Sequence, residues 1–260
     1  MKQFLLNVAV PLSILFALGG CVSSTTVENK VPDQAAKSDA LYRAQIHTER
    51  AAEYYRLDKM AVALEAAEQA ISANANYAPA YNMLGIIYMN LRQDAKAQQA
   101  YEQALKIAPN DSETLNNLGW FVCDRQSPAK GMPYFEKALQ NPLYATPERA
   151  LFNAGVCARR MGDMAKAESQ LTAALQRQPN YAQAMYELAE MRYTQGQVKE
   201  AESLLARHNQ LVQAPSVSAL YLGVQIARTQ GDKMAEASYI QQLRRRFPDA
   251  PQTKLALEAR

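Results

Sequence analysis

Few side chains in this sequence have the types and spacing that catalysis requires. The two histidines, His47 and His208, lie far apart in the chain, so neither a metal pair nor a nucleophile with its base is evident. Signatures of phosphate-binding loops, serine hydrolases and common zinc sites do not occur in the sequence. We therefore predict no enzyme activity, no metal, no cofactor and no small-molecule substrate, and we assign both histidines structural roles.

Cys21 carries the clearest chemical signal. Lys2 gives the chain a positive start, residues 4–18 are apolar but short for a membrane span, and Leu18-Gly19-Gly20 places small residues directly before the cysteine. This pattern predicts a lipoprotein signal peptide over residues 1–20, followed by lipid attachment (palmitate among the acyl chains) at Cys21. An ordinary secretory signal with an incidental cysteine is the alternative.

Lipidation would determine where the protein resides. Each buried acyl methylene contributes about 0.8 kcal/mol, so two or three chains on one cysteine hold a protein firmly at a membrane. Val22 stands where an aspartate commonly retains lipoproteins in the inner membrane. The expected location is therefore the periplasmic face of the outer membrane.

Cys123 and Cys157 allow two interpretations. A disulfide is possible in an oxidising compartment, whereas unpaired cysteines behave as small buried hydrophobic residues. A disulfide requires Cα atoms within about 7 Å, which the sequence does not guarantee. We favour two unpaired thiols.

The composition of the whole chain indicates which secondary structure would position these groups. Hydrophobic residues make up 48% of the chain, charged residues 20%, and Lys plus Arg exceed Asp plus Glu by only 28 to 25. Abundant Ala, Gln, Leu and Glu with few Gly favour an all-α fold. The near-neutral balance gives no electrostatic signature for nucleic acid, so we predict no nucleic-acid partner. Residues 21–43 are polar after the cysteine and predict a flexible tether.

A repeat of about 34 residues begins at residue 44. Within residues 78–111, five of the side chains with diagnostic types and spacing are Leu84, Gly85, Tyr101, Ala104 and Pro109. Their types match the diagnostic positions of a tetratricopeptide repeat, which this segment resembles. The resemblance implies a right-handed superhelical solenoid of about six helical pairs. The predicted units are 44–77, 78–111, 112–147, 148–181, 182–215 and 216–249, followed by a C-terminal tail at 250–260. Gly162, Gly196 and Gly231 are expected to cap first helices in the left-handed conformation.

The resemblance also indicates which side chains line the concave wall. Aromatic residues, Met and Arg dominate binding hot spots, so an apolar and aromatic wall is suited to holding a partner segment. Two roles fit each wall residue, namely lining a groove or packing between repeats. The predicted partner-binding groove comprises Tyr55, Asn82, Ile86, Met89, Asn116, Trp120, Phe152, Tyr186 and Tyr193.

Arg244, Arg245 and Arg246 precede Phe247 and Pro248 near the C-terminus. Cations in a last helical turn complement the helix dipole, and we favour that role. Docking to a partner or a membrane is the alternative.

Six such repeats behind a lipoprotein signal, with the segments NPLYATPERA and LRRRFPD, resemble the type IV pilus biogenesis and stability lipoproteins of the PilW/PilF kind. The resemblance implies a pilotin, which binds secretin subunits, brings them to the outer membrane and promotes their multimerisation, with other pilus assembly proteins as further partners. It places secretin contact in the N-terminal repeats, on Tyr55, Ile86, Met89 and Trp120. Two alternatives are a general adaptor of another envelope assembly machine and, less favoured, a periplasmic enzyme with a repeat domain.

Overall fold

A computed structural model describes residues 31–258, and every regular element in that range is an α-helix. The chain divides into two units, residues 1–38 and residues 39–260. The helices are α1 (Val31–Arg56), α2 (Met60–Ala73), α3 (Ala78–Asn90), α4 (Asp94–Ile107), α5 (Ser112–Arg125), α6 (Pro128–Leu139), α7 (Pro147–Arg160), α8 (Met164–Arg177), α9 (Ala182–Thr194), α10 (Val198–Leu211), α11 (Val217–Gln230), α12 (Lys233–Arg246) and α13 (Pro251–Glu258). The all-α prediction is confirmed.

Helices α3 to α12 form successive pairs, and each pair stacks on the next. Within each pair the two helices pack against each other, as α3 does on α4 and α7 on α8. Consecutive pairs meet through contacts such as those of α4 with α5 and α6 with α7. First helices of neighbouring pairs also touch, because α3 contacts α5 and α5 contacts α7. The first helices therefore form a wall on which side chains from several repeats meet.

Close packing within a pair depends on a glycine opposite a large side chain. A Cβ on Gly85 would lie 2.4 Å from the ring of Tyr101, and a Cβ on Gly119 would lie 2.9 Å from the ring of Phe135. Both rings are fully buried. Only the missing Cβ lets the aromatic ring fill the space between the two helices, which explains the small and large residue types at these repeat positions.

The turn inside several pairs requires a left-handed residue. Gly162, Gly196 and Gly231 have φ values of +81°, +77° and +74°, so their predicted role as left-handed caps is confirmed. In the first two pairs Asp58 and Arg92 adopt φ values of 58° and 59° at the corresponding bend. These two non-glycine residues make the bend less favourably than glycine would.

Helix α1 begins thirteen residues before the predicted start of the repeats, so the prediction of a flexible tether is wrong for residues 31–43. Ala35, Ala36 and Leu41 are good helix formers, and Asp39 pairs with Arg43 one turn later at 3.3 Å. Helix propensity therefore outweighs the polar composition of this segment. The predicted signal peptide, Cys21 and the start of the tether lie outside the described residues.

Cys123 of α5 and Cys157 of α7 form a disulfide, so the preference for two unpaired thiols is wrong. Their Cα atoms lie 6.2 Å apart, within the range that a disulfide bridges. Direct packing of α5 on α7 supplies this proximity, although the two residues occupy different positions in their repeats. The bond links the third predicted unit to the fourth.

The end of the chain is also helical. Helix α13 packs on α11 and α12 within the predicted C-terminal tail, with Ala256 buried beside Leu220 and Leu243. It covers the last pair as a capping helix does in a repeat array. Within residues 31–258 no helix combines the length and apolar character needed to cross a membrane.

Candidate partner-binding groove

A concave groove of about 630 Å³ opens across the first three helical pairs. We call it the N-terminal groove. Its apolar lining includes Tyr55 on α1, Ile86 and Met89 on α3, and Trp120 on α5. These four residues were predicted as the contact surface for a partner, and the structure brings all four to one concavity.

Helix geometry explains how the four side chains meet. Ile86 and Met89 lie three residues apart in α3 and share one face of that helix. Tyr55 and Trp120 approach from the first helices on either side. All four are half-buried, so each combines a fixed base with an exposed surface. Half-buried aromatic and aliphatic side chains of this kind serve as anchors for a bound segment.

Trp120 is held in place by its neighbours. The guanidinium of Arg160 lies 5.0 Å from the centre of the Trp120 ring, within cation–π range. Arg160 also donates to Asp124 at 3.0 Å. Beneath the indole lie the buried Cys123 and Cys157 of the disulfide. The Trp120 ring is therefore held by Arg160 on its face and by the cluster around the disulfide beneath it.

Arg125 joins the groove to the neighbouring pairs. Its Nε lies 3.3 Å from Asp124 and 3.7 Å from Asp94 on α4. Its Nη2 also donates to the main-chain carbonyl of Met89 at 3.4 Å. These interactions connect α5 to α3 and α4 and hold the arginine at the edge of the groove.

The rim of the N-terminal groove is rich in arginine. Four of its lining residues are arginines, and no carboxylate lines it. Arg56 pairs with Glu53, Arg125 with Asp94 and Asp124, and Arg149 with Glu113 at 3.3 Å. Arg92, the fourth, has no ion pair with any residue in 31–258. An apolar floor with this rim fits an apolar segment that carries carboxylates at its edges.

A chain of amide hydrogen bonds crosses three repeats beside the groove. Asn117 donates to Asn82 at 3.0 Å, Asn116 donates to Asn117 at 3.4 Å, and Asn153 donates to Asn116 at 2.9 Å. Asn116 has no exposed surface. The structure therefore removes Asn116 from the predicted contact surface, because its amide holds α5 to α7 and is not available to a partner.

Three further predicted groove residues pack against residues of the later helical pairs. Phe152 meets the ring of Tyr181 edge-on at 5.2 Å, and Tyr186 packs 5.7 Å from the ring of His208. The Tyr193 hydroxyl lies 3.2 Å from that of Thr229 on α11. The structure does not bring these three residues to the N-terminal groove.

The fourth and fifth first helices, α7 and α9, are joined by ion pairs. Arg159 pairs with Glu190 and lies 2.9 Å from Glu187. Burial raises the pKa of the Glu187 carboxyl above its usual value, while Arg159 opposes that shift. Burial, with Glu190 adding to it, raises the pKa of Tyr186 to about 12. These groups are thus engaged with one another.

The histidines have separate environments. His208 is buried, and its Nδ1 lies 2.9 Å from the carbonyl oxygen of Ala182. His47 is half-buried in α1. Residues 31–258 contain no group of three or more potential His, Cys, Asp or Glu metal ligands.

Sequence reasoning missed three residues of the rim, namely Arg92, Arg125 and Arg149. Arg92 lies in the turn after α3, Arg125 ends α5, and Arg149 belongs to the first turn of α7. Arg92 and Arg125 lie outside the repeat positions from which the concave wall was predicted, whereas Arg149 occupies the second position of its repeat and was not selected. Arginine at or just after the ends of consecutive first helices is the signal that would have indicated Arg92 and Arg125.

Sequence comparisons agree with this geometry. Tetratricopeptide repeat models match residues 78–111 and residues 158–221. The fold and the groove together define a tetratricopeptide-repeat solenoid, a scaffold architecture that presents a concave surface. No curated protein sequence matches the chain.

Solved structures identify the family. The structure of PilW, described as a widely conserved type IV pilus biogenesis factor, is 34% identical, with a TM-score of 0.73, and the match covers 82% of this chain and 98% of that chain. The chain therefore belongs to the PilW family of tetratricopeptide-repeat proteins. A structure of PilF from Pseudomonas aeruginosa shares the fold at 20% identity, with a TM-score of 0.76, over 83% of this chain and 97% of that chain. MamA matches at 20% identity and a TM-score of 0.52, over 65% of this chain and 90% of that chain.

Proposed function

We propose that this protein is a pilotin for type IV pilus biogenesis, anchored by lipid at Cys21 to the periplasmic face of the outer membrane. It binds secretin subunits, brings them to that membrane and promotes their multimerisation, with other pilus assembly proteins as further partners. It acts by binding and not by catalysis. Membership of the PilW family supports the biological process, and the N-terminal groove is the observation that carries the binding role.

The groove supports capture of a single segment of a secretin subunit. Tyr55, Ile86, Met89 and Trp120 present half-buried apolar surface in one concavity. Burying apolar side chains against them gains about 25 cal/mol per Å² of surface removed from water. The arginine rim favours carboxylates beside the apolar contact and disfavours cations there.

The anchor supports delivery. The sequence around Cys21 has the pattern of a lipoprotein signal, and a captured subunit would share the location of the acylated cysteine. Capture and delivery are separable functions, because the groove lies in the helical repeats and the cysteine precedes them. They can therefore be tested with separate variants.

The capture test uses cells in which the gene is deleted and then restored as wild type or as a variant. We expect Ile86→Ser with Met89→Ser to lower the amount of detergent-resistant secretin multimer several-fold, because both contacts are lost from the apolar floor. Met161→Ser with Met164→Ser is the matched control. Both control residues are exposed methionines outside the N-terminal groove, at 47% and 49% exposure. The control pair should behave as wild type when protein levels are equal.

The delivery test replaces the lipidated residue. We expect Cys21→Ala to leave secretin capture intact in co-purification but to move the multimers away from the outer-membrane fraction. Multimers at wild-type level and location in the deletion strain would overturn the pilotin proposal. That result would favour an adaptor of another envelope machine, since the same groove suits either role.

A further inference from the structure

A second concavity lies at the other end of the array, away from the N-terminal groove. It has a volume of about 830 Å³ and is lined by the end of α11 and by α12. We call it the C-terminal pocket. Its charged lining comprises Arg228, Lys233, Glu236, Arg244 and Arg245, so four cations surround one carboxylate.

That carboxylate is already engaged on both oxygens. Glu236 pairs with Arg228 at 2.7 Å through Oε1 and with Lys233 at 3.1 Å through Oε2. Arg228 and Lys233 together hold the pKa of this carboxyl below its usual range. Glu236 is thus not available to neutralise the two remaining arginines.

The run Arg244-Arg245-Arg246 divides into two roles. Arg246 stacks on the ring of Phe247 at 5.0 Å, which accounts for it locally. Arg244 and Arg245 are exposed, line the pocket and have no ion pair with any residue in 31–258. All three complement the dipole of α12, but that role does not require two of them to face a concavity.

We propose that the C-terminal pocket binds an acidic segment of a protein partner, with Arg244 and Arg245 pairing with its carboxylates. Charge complementarity supports an anionic occupant, because the pocket carries unneutralised positive charge. Its concave form and the half-buried Ile240 in its lining favour a segment with both carboxylates and aliphatic side chains. A membrane surface presents a plane of headgroups, which a concavity meets poorly.

The test measures anisotropy of a short fluorescein-labelled peptide of Glu, Leu and Ala with the full chain at physiological ionic strength. A peptide with Gln in place of Glu is the probe control. The variant is Arg244→Gln with Arg245→Gln. Lys106→Gln with Arg177→Gln is the matched protein control, because it removes two last-turn cations, from α4 and α8, that do not line the pocket.

We expect the Arg244 and Arg245 variant to weaken binding of the acidic peptide about tenfold, as two exposed ion pairs would. The control pair should bind as wild type does, and the Gln peptide should bind no variant. Equal losses in both pairs would indicate general attraction to a basic protein and overturn the proposal, as would absence of peptide binding to wild type.

A second experiment, with lipid vesicles, tests whether the pocket binds an anionic lipid surface instead of an acidic protein segment. Phosphatidylglycerol vesicles are compared with phosphatidylcholine vesicles in co-sedimentation with the same proteins. Arginine-dependent binding to the anionic vesicles without binding of the acidic peptide would overturn the proposal in favour of a lipid site. Arginine-dependent binding of the peptide with equal sedimentation of both vesicle types would support it.

Discussion

The disulfide between Cys123 and Cys157 leads to a quantitative prediction. It closes a loop across a sequence separation of 34 residues between α5 and α7. Restricting a loop of that length in the unfolded chain removes about 12.6 cal/mol/K of entropy. At 25 °C this corresponds to about 3.8 kcal/mol of stability, which a reductant should abolish.

Trp120 is the natural reporter for this experiment. It is the single tryptophan of the sequence and packs against the buried cluster that contains both cysteines. Urea unfolding is followed by Trp120 fluorescence and by circular dichroism, for oxidised and reduced wild type and for Cys123→Ala with Cys157→Ala. Reduced wild type keeps both sulfur atoms, so it isolates the cross-link. The alanine pair also loses the packing of the sulfurs and should be less stable still.

Repeat arrays need not unfold as one unit, so the two probes are informative together. If the pairs unfold separately, the loss on reduction should be larger in the Trp120 signal than in the helical signal. An unchanged unfolding midpoint by both probes in fully reduced wild type would refute the entropy argument. Two free thiols in the oxidised, unfolded chain would refute the disulfide itself.

Three other predictions concern packing and charge. Gly85→Ala should destabilise the chain by about 2 kcal/mol in urea unfolding, because the new Cβ would overlap the buried Tyr101 ring. Gly162→Ala should lower the free energy of unfolding by about 1 kcal/mol through its φ of +81° alone, since nothing lies within 4 Å of the new Cβ. Equal losses for Gly85→Ala and Gly162→Ala would contradict the packing argument. Because burial raises the folded pKa of Glu187, its carboxyl stabilises the fold at low pH and loses that contribution as pH rises through the folded pKa. As the pH rises from 4 to 7, the free energy of unfolding of Glu187→Gln should therefore increase relative to that of wild type. A decrease relative to wild type would mean that the ion pair with Arg159 outweighs the effect of burial.

The repeat architecture was predictable because it depends on contacts that recur at a fixed spacing. Gly85 with Tyr101 and Gly119 with Phe135 each place a small residue opposite a ring one half-repeat later. Such contacts lie within one helical pair, so their sequence separation is short and constant. The same locality made the left-handed glycines readable from the sequence.

Features that depend on contacts between pairs were less predictable. The disulfide joins α5 to α7, and Asn116 accepts a hydrogen bond from Asn153 of α7. Arg149 reaches the N-terminal groove from a pair that follows the first three. Each of these contacts depends on the angle between successive pairs, which the repeat consensus does not specify.

The early start of α1 has a different cause. Composition gave residues 31–43 a polar character typical of tethers, but a chain of good helix formers next to an existing helix needs no new nucleus. Extending α1 by one residue adds a backbone hydrogen bond without the entropic cost of a first turn. Polar composition therefore indicated exposure here and did not indicate disorder.

The concave wall differs along the array in a way that bears on how a partner is held. In the fourth and fifth predicted units, Phe152 and Tyr186 already pack against other rings, and Arg159 pairs with Glu187 of the next unit. In the first three units, Tyr55, Ile86 and Met89 keep surface for a partner. A side chain already packed against its neighbour has little surface left to bury, whereas a half-exposed one gains transfer free energy in proportion to the surface that a partner covers. On the concave wall, half-exposed apolar side chains are thus gathered mainly at the N-terminal groove.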